Sequence, residues 1–444
     1  YSLGGMDMAT ETLLPADRAS VQEMSRRMGE PAWLTELRLE ALDAAARLDL
    51  PKLEKTRLER WNIDAYGRYQ ETSAVESAAD LPAEALRYVV AESPNNLVVQ
   101  RNSGAAFRKL SDDLAKRGVI FTDFATAVRE HEDLVKPYFM SVVRADEHRL
   151  SALHAALFTG GVFLYVPKNV TVEEPLQALF ITDDSGAAFS PHILIVAESG
   201  SSVTYVDNVI SAGEGGAPLV HNSITEIVCK PGASVRYASV HHLGRETTDL
   251  SWRRARLDND ARVEWIIGEM NAGDTVSDTH TILQGTGSSS EAKVICVGTG
   301  DQKLNITTRA VHFGKKSQSD MLTRAVMRDE ATAIINGITK IEKGATDANG
   351  EQTERVLMLS PRARGDANPM LLIDEDEVKA GHAASVGQVN KEQVYYLMSR
   401  GISREDAMKL IIYGFLAPIV TQIPIQRLET LLSEVVERKL GQRS

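Results

Sequence analysis

Among the residue types in this chain that could do chemistry, one histidine stands in an open setting. His382 lies in the segment VKAGHAASVG, just past the alternating apolar strand Leu371–Val378, with Gly381, Ala383, Ala384 and Ser385 around it. Small neighbours leave an imidazole accessible, and an accessible imidazole can bind a metal or carry protons near neutral pH. Taken alone, the position reads as a turn histidine bonded to a nearby carbonyl.

The other candidates are weaker. Cys229 and Cys296 are the only cysteines, each inside a strand-like pattern (EIVCK and KVICV). They read as small buried hydrophobes, and their number and spacing exclude a disulfide framework or a CxxC metal site. The acidic run Asp374–Glu377 and the pair His241-His242 sit on strand-like stretches, where alternate residues point to opposite faces. Neither makes a metal site, and the acidic run reads as a solvated edge. His312, in HFGKKSQSD, is assigned no ligand role. Neither a GxxxxGK[ST] loop nor a GxSxG elbow is present, so the chain is expected to bind no nucleotide through a P-loop and to carry no serine nucleophile of that type.

These residues need elements to position them, and the 444-residue length implies two or three structural units. Hydrophobic content of 43% and charged content of 25% are those of a globular chain. A formal net charge of -12 argues against nucleic acid or an anionic membrane as the main partner. YSLGG reads as an appended leader ahead of a native start at Met6 or Met8, and no charged–apolar–small signal follows. Leu410–Val420, the longest nearly unbroken apolar run, falls well short of the ~20 residues that span a bilayer. A soluble, cytoplasmic protein is expected.

Residues 1–150 read as helical. Pro31–Leu48 carries Leu34, Leu37, Ala41, Leu42 and Ala45 on one stripe, and further helices are predicted near Pro82–Val90, Arg108–Lys116 and Arg149–Leu157. A helix then ends at Gly160-Gly161 and a buried strand begins at Val162. From there to about Asp376, short strands alternate with Gly, Ser, Asp and Asn. ESGSSVTY, KPGASVRY and DNDARVEW share a turn-then-strand formula, and SSSEAKVICV puts Val294 in the equivalent slot. The spacings between Val203, Val235, Val263 and Val294 are 32, 28 and 31 residues. A strand-only period near thirty predicts a parallel β-helix whose four valines point inward. After residue 385 the chain turns helical again. Asn390 caps one helix that stops at Gly401, and Ser403 caps a second. A third starts after Pro424, with Leu428, Leu431, Leu432, Val435 and Val436 on one face.

The stretch VKAGHAASVG followed by YYLMSRGI at Tyr395–Ile402 resembles the C-terminal signature of the SufB/SufD family of iron–sulfur cluster assembly subunits. GEPAWLTELRLEAL at Gly29–Leu42, ALFTGGVFLYVPKNVTVEEPL at Ala156–Leu176 and the segment Ile335–Ile373 resemble it too, in the same order. The resemblance implies a mainly β fold, a right-handed parallel β-helix flanked by helical N- and C-terminal domains. Boundaries at 1–150, 151–385 and 386–444 are expected. It implies a scaffold subunit without catalysis of its own, paired with a SufB-like subunit through the last coils and docked on a SufC-like ATPase through the C-terminal helices. A homodimer is possible in isolation.

On this reading His382 faces the partner subunit and acts as iron ligand or proton carrier, and Met398, Arg400, Met408 and Ile411 contribute to partner binding. The iron–sulfur cluster would be transient and shared, because two cysteines cannot supply the usual cage of about four thiolates. Many family members carry Cys-Ser or Cys-Thr before this histidine, whereas Ala380-Gly381 stand here, so His382 would act without a neighbouring thiol. SufB-type scaffolds are expected to carry a cysteine just before the motif; Arg355–Asp374 has none, which favours the SufD-like side. The alternatives are a SufB-type scaffold and, from another class, a β-helical carbohydrate-active enzyme.

Overall fold

Alternation of inward and outward side chains, carried from strand to strand in constant register, builds this protein. The computed structural model describes residues 13–88, 95–213, 215–422 and 426–441, without the side chains of 426–429, 431, 432 and 435. The expected start at Met6 or Met8, and the side chains of Leu428, Leu431, Leu432 and Val435, lie outside the described residues.

The strands, in chain order, are β1 (Leu97–Arg101), β2 (Gly104–Lys109), β3 (Ile120–Asp123), β4 (Gly161–Val166), β5 (Leu176–Thr182), β6 (His192–Ala197) and β7 (Ser202–Ser211). They continue as β8 (Leu219–Cys229), β9 (Ser234–His242), β10 (Thr247–Leu257), β11 (Arg262–Glu269), β12 (Thr275–Leu283) and β13 (Ser289–Gly298). The last six are β14 (Lys303–His312), β15 (Gln318–Met327), β16 (Thr332–Ile341), β17 (Asn349–Met358), β18 (Arg364–Ile373) and β19 (Lys379–Gln388). One sheet has the order β19-β17-β15-β13-β11-β9-β7-β5-β1-β2, and the other β18-β16-β14-β12-β10-β8-β6-β4-β3. The pairs β1–β2 and β3–β4 are antiparallel; the remaining neighbours are parallel, so successive strands climb a β-solenoid of about 8 turns. The mainly β architecture with helices at both ends is as expected.

Inside, Val203, Val235 and Val263 stack rung on rung, as their shared formula predicts. Val294 is also buried inward, but it stacks on Ile267 while Ser290 pairs with Val263. The fourth coil therefore enters its strand earlier than the formula implied. The rings of Tyr205 and Tyr237 stack at 5.2 Å between centroids, and Trp265 meets Tyr237 edge-on, a geometry that adds to the area they bury.

The first 150 residues are less helical than expected. The helices there are α1 (Arg18–Arg27), α2 (Ala32–Arg47), α3 (Ala83–Leu86), α4 (Asp112–Lys116), α5 (Phe124–Glu130), α6 (Glu132–Val135) and α7 (Arg149–Leu157). The predicted helix Arg108–Lys116 divides into the end of β2 and α4, because β1 to β3 extend the two sheets. The switch at Gly160-Gly161 is where the sequence placed it. Gly161 has φ +125°, and a side chain there would overlap the His192 carbonyl, so only glycine lets β4 start against β6.

The two helical groups cover opposite outer faces. Leu34, Leu42, Phe124, Phe139 and Leu153 pack with outward residues Leu194, Ile224, Leu250 and Val276 of one sheet. The C-terminal helices α8 (Lys391–Ser399), α9 (Arg404–Val420) and α10 (Gln426–Gly441) follow β19. From α9 and α10, Ile412, Leu416, Ile419 and Val436 pack on Val240, Ile266, Ile295 and Val297 of the other sheet. Lys439 of α10 drives its ammonium into the solenoid wall, onto Gln302 Oε1 at 3.0 Å and the carbonyls of Asn271 and Val297. Burial pushes that amine down to about 7.

Candidate functional site at the open end of the solenoid

The solenoid is capped by antiparallel strands at one end and stops abruptly at the other, on β18 and β19. His382 sits in the middle of β19, in register with Gln352 of β17. It is therefore a strand residue and not a turn residue: β18 ends at Ile373, and the bend falls on Asp374–Val378. Ala-Gly-His-Ala-Ala is a poor strand former by propensity, and pairing with β17 along its whole length overrides that. The acidic run lies in this bend and not along a strand edge; Glu375 Oε2 accepts from Gly344 N at 2.9 Å.

His382 tops an interior column. Tyr205, Tyr237, Trp265, Ala292, Met321, Gln352 and His382 occupy successive rungs of one sheet. The lower members are buried, whereas His382 is exposed because no further coil follows. Its neighbours on that last layer include Val386, 41% exposed, and across the lumen Ile373, 38% exposed. The lumen thus ends uncovered, with one imidazole in its mouth between apolar Val386 and Ile373.

The other expected site residues gather elsewhere. Asn390 caps α8 by accepting from Glu392 N and Gln393 N, and Ser403 caps α9 by accepting from Asp406 N at 3.1 Å. Between them Gly401 has φ +87°, the left-handed terminator the sequence indicated. Tyr395 is 75% exposed, and Tyr396, Met398 and Leu410 are exposed with it. Arg400 is exposed and donates to the Tyr396 hydroxyl at 3.2 Å. Met408 and Ile411 are half-buried, at the border between this patch and the face of α9 that packs on the sheet. So His382 lies at the solenoid mouth, while Met398, Arg400, Met408 and Ile411 belong to the helical unit.

Both cysteines are buried and face the core, and burial pushes each thiol up to about 12. His312 is buried, bonded to Ser317 Oγ at 2.8 Å and Ser319 Oγ at 2.7 Å. One constellation was not foreseen. His221 and His241 both reach Asp249, Nδ1 to carboxylate at 2.9 and 2.6 Å, in the solenoid interior. Asp249 also accepts from Ser251 Oγ and Asn271 Nδ2. Burial would raise this carboxyl, but the two imidazoles outweigh it and hold it well below the usual carboxylate range. Beside it, Arg253 bridges His241 Nε2 and Glu269 Oε1 at 3.2 and 3.0 Å. His241 points inward and His242 outward to Tyr88, so the adjacent pair diverges as expected. Coiling nevertheless brings His221 and Asp249 to the inward member. With four donors already on it, the Asp249 carboxylate is satisfied, while His221 Nε2 and Glu269 Oε2 have no hydrogen-bond partner.

The family model for the SufBD core domain of the SUF system for FeS cluster assembly matches residues 180–415, and that for the SufBD N-terminal region matches 21–178. The chain belongs to the SufB/SufD family. It is 48% identical over 437 residues to the iron–sulfur cluster assembly protein SufD of Bacillus subtilis strain 168, covering 98% of this chain and 100% of that one. SufBD family proteins of Staphylococcus haemolyticus and Staphylococcus aureus USA300 are each 28% identical over 416 residues, covering 91% of this chain and 89% of theirs. Among the described residues no helix is long and apolar enough to cross a membrane. For the SufB/SufD family member described here, the chemistry in question is iron–sulfur cluster assembly.

Proposed function

We propose that the chain is a non-catalytic scaffold subunit that builds an iron–sulfur cluster jointly with a SufB-like subunit, driven by a SufC-like ATPase. The observation that carries this is the open end: β18 and β19 present unpaired strand edges and an uncovered lumen with Ile373, Val386 and His382 in its mouth. Such an edge pairs readily with strands of another chain, and burial of Leu372, Ile373 and Val386 would add a hydrophobic gain. His382 then faces the partner, where a neutral imidazole serves beside partner thiolates as iron ligand or as proton carrier. The cluster is transient and shared, since both thiols of this chain are buried. Without the SufB-like partner, two copies of the chain could pair through the same edge.

Residues 386–444 act on this reading as the ATPase docking unit, next to a solenoid unit of 151–385 and an N-terminal unit of 1–150, in the cytoplasm. Exposed Tyr395, Tyr396, Met398 and Leu410 support an apolar docking face. A SufB-type role is disfavoured by the lack of cysteine in Arg355–Asp374. Hydrogen exchange on the chain with and without a SufB-like subunit tests the pairing: amides of residues 364–388 gain protection if the open end is the interface. No gain there, with the complex formed, would place the interface elsewhere.

A further inference from the structure

One coil inside the open end, a buried carboxylate has nothing to bind. Glu354 of β17 faces the lumen with 1% exposure, and neither of its carboxylate oxygens has a hydrogen-bond partner. Gln352, two residues earlier on the same inner face, donates from Nε2 to the Met370 carbonyl at 3.3 Å, and its Oε1 accepts from Thr339 Oγ1 at 3.4 Å. Across the lumen stands Gly337. A methyl group there would overlap Glu354 Oε1 and stand 2.7 Å from Gln352 Oε1, so both acceptors share the space its missing side chain leaves. Thr308, the rung neighbour of Gly337, adds a hydroxyl oxygen that is also unpartnered. Of these oxygens only Gln352 Oε1 has a donor, and a buried carboxylate left without one is unfavourable unless a proton or a cation neutralises it.

We propose that this niche binds one divalent metal cation through the Glu354 carboxylate and the Gln352 side-chain oxygen. An all-oxygen donor set suits a hard ion of the Mg²⁺, Mn²⁺ or Fe²⁺ kind. That distinguishes it from the His221–Asp249–His241 network, whose carboxylate is already satisfied. Glu354 is the rung partner of Ala384 and Gln352 of His382, so the ion lies one layer below the mouth. That the natural occupant is ferrous iron held for assembly rests on the function proposed above; the site itself does not.

The test uses the full chain with Mn²⁺ as probe at pH 8, where Glu354, raised to about 7 by burial, is ionised. Equilibrium dialysis and the EPR signal of free Mn²⁺ should give one site per chain. Affinity should fall at least tenfold in Glu354→Gln, at least threefold in Gln352→Leu, and stay within twofold in His382→Ala. Thermal unfolding in metal-free buffer checks that the variants fold, and Gln352→Leu decides the matter if Glu354→Gln does not. No such site in the wild type, or undiminished binding by the folded variants, would mean that the niche holds only a proton, and would overturn the proposal. Binding lost only in His382→Ala would also overturn it, assigning the metal to the mouth. Cluster assembly is a separate readout: its failure alongside intact Mn²⁺ binding counts against the proposed function and not against this site.

Discussion

His382 stands directly on Gln352, one rung further along the same interior column of the solenoid. Gln352 is buried at 1% exposure and His382 is exposed. The histidine is thus an inward-facing residue whose covering coil is absent, and this decides what its replacement should do.

His382→Ala should leave the thermal midpoint of the isolated chain nearly unchanged, within about 0.5 kcal/mol, as exposed positions usually do. In a reconstituted complex with SufB-like and SufC-like partners it should lower anaerobic cluster formation, read by visible absorption, without dissociating the complex. Unimpaired assembly would remove His382 from the chemistry.

Met408→Asp and Ile411→Asp should weaken binding of the SufC-like ATPase by ~2 kcal/mol or more, about 30-fold, as loss of an apolar anchor does. Circular dichroism should still report an intact solenoid. Ile412→Asp is the contrast: that residue packs on the sheet, so its change should instead release the C-terminal helices. Wild-type ATPase affinity in the first two variants would move the docking face to Tyr395 and Leu410.

Neither thiol should react with a disulfide reagent in the native protein, because both are buried and raised to about 12 and the thiolate is the reactive form. Two equivalents should appear only in denaturant. The double variant Cys229→Ser, Cys296→Ser should retain cluster assembly in the complex; loss of assembly with the fold intact would give the thiols a role.

Acid should destabilise the chain partly through His312. Burial lowers this imidazole from its ordinary value to about 4, so between pH 6.5 and 4 the unfolded chain binds a proton that the folded chain refuses. Stability from this group is complete above 6.5 and is lost as pH falls toward 4, by an amount on the order of 1–3 kcal/mol. Denaturant titrations of wild type and His312→Gln should differ in pH slope by about one proton over that window. Equal slopes would contradict the assignment.

Glu269→Ala should be among the most damaging single changes, because it leaves the Arg253 guanidinium buried without its carboxylate partner. Removing one member of a buried pair costs about 3–5 kcal/mol, readable as a shift in urea midpoint. A cost below about 1 kcal/mol would mean that Ser277 and His241, which also touch Arg253, suffice.

The coiled body was legible because its signal is periodic: Val203, Val235 and Val263 sit in one slot and stack as read. So were the caps at Asn390 and Ser403, whose chemistry is local. Val294 lies four residues past that slot, which Ser290 fills, because the coil before it is shorter than the repeat of the formula implies. The strand around His382 was hidden by its Ala and Gly content, since only pairing with β17 makes it extended. The Asp249 network and the Glu354 niche were illegible for another reason. His221 is 28 residues from Asp249 and Gly337 is 17 from Glu354; such pairs meet only when successive coils fold onto one axis, and no local pattern encodes that meeting.

The placement of the two helical groups on opposite sheets also dictates an order of events during synthesis. α2 packs chiefly on α7, so the first helices to leave the ribosome must wait about a hundred residues, until Leu157 is made, before their apolar faces are covered. At about 5–20 residues per second, that wait is on the order of ten seconds. The C-terminal helices meet the reverse situation: Ile412 and Val436 emerge onto a sheet whose strands β9 to β13 already exist. Nascent chains stalled near residue 120 should therefore engage a chaperone through the N-terminal helices, and release it once α7 has emerged.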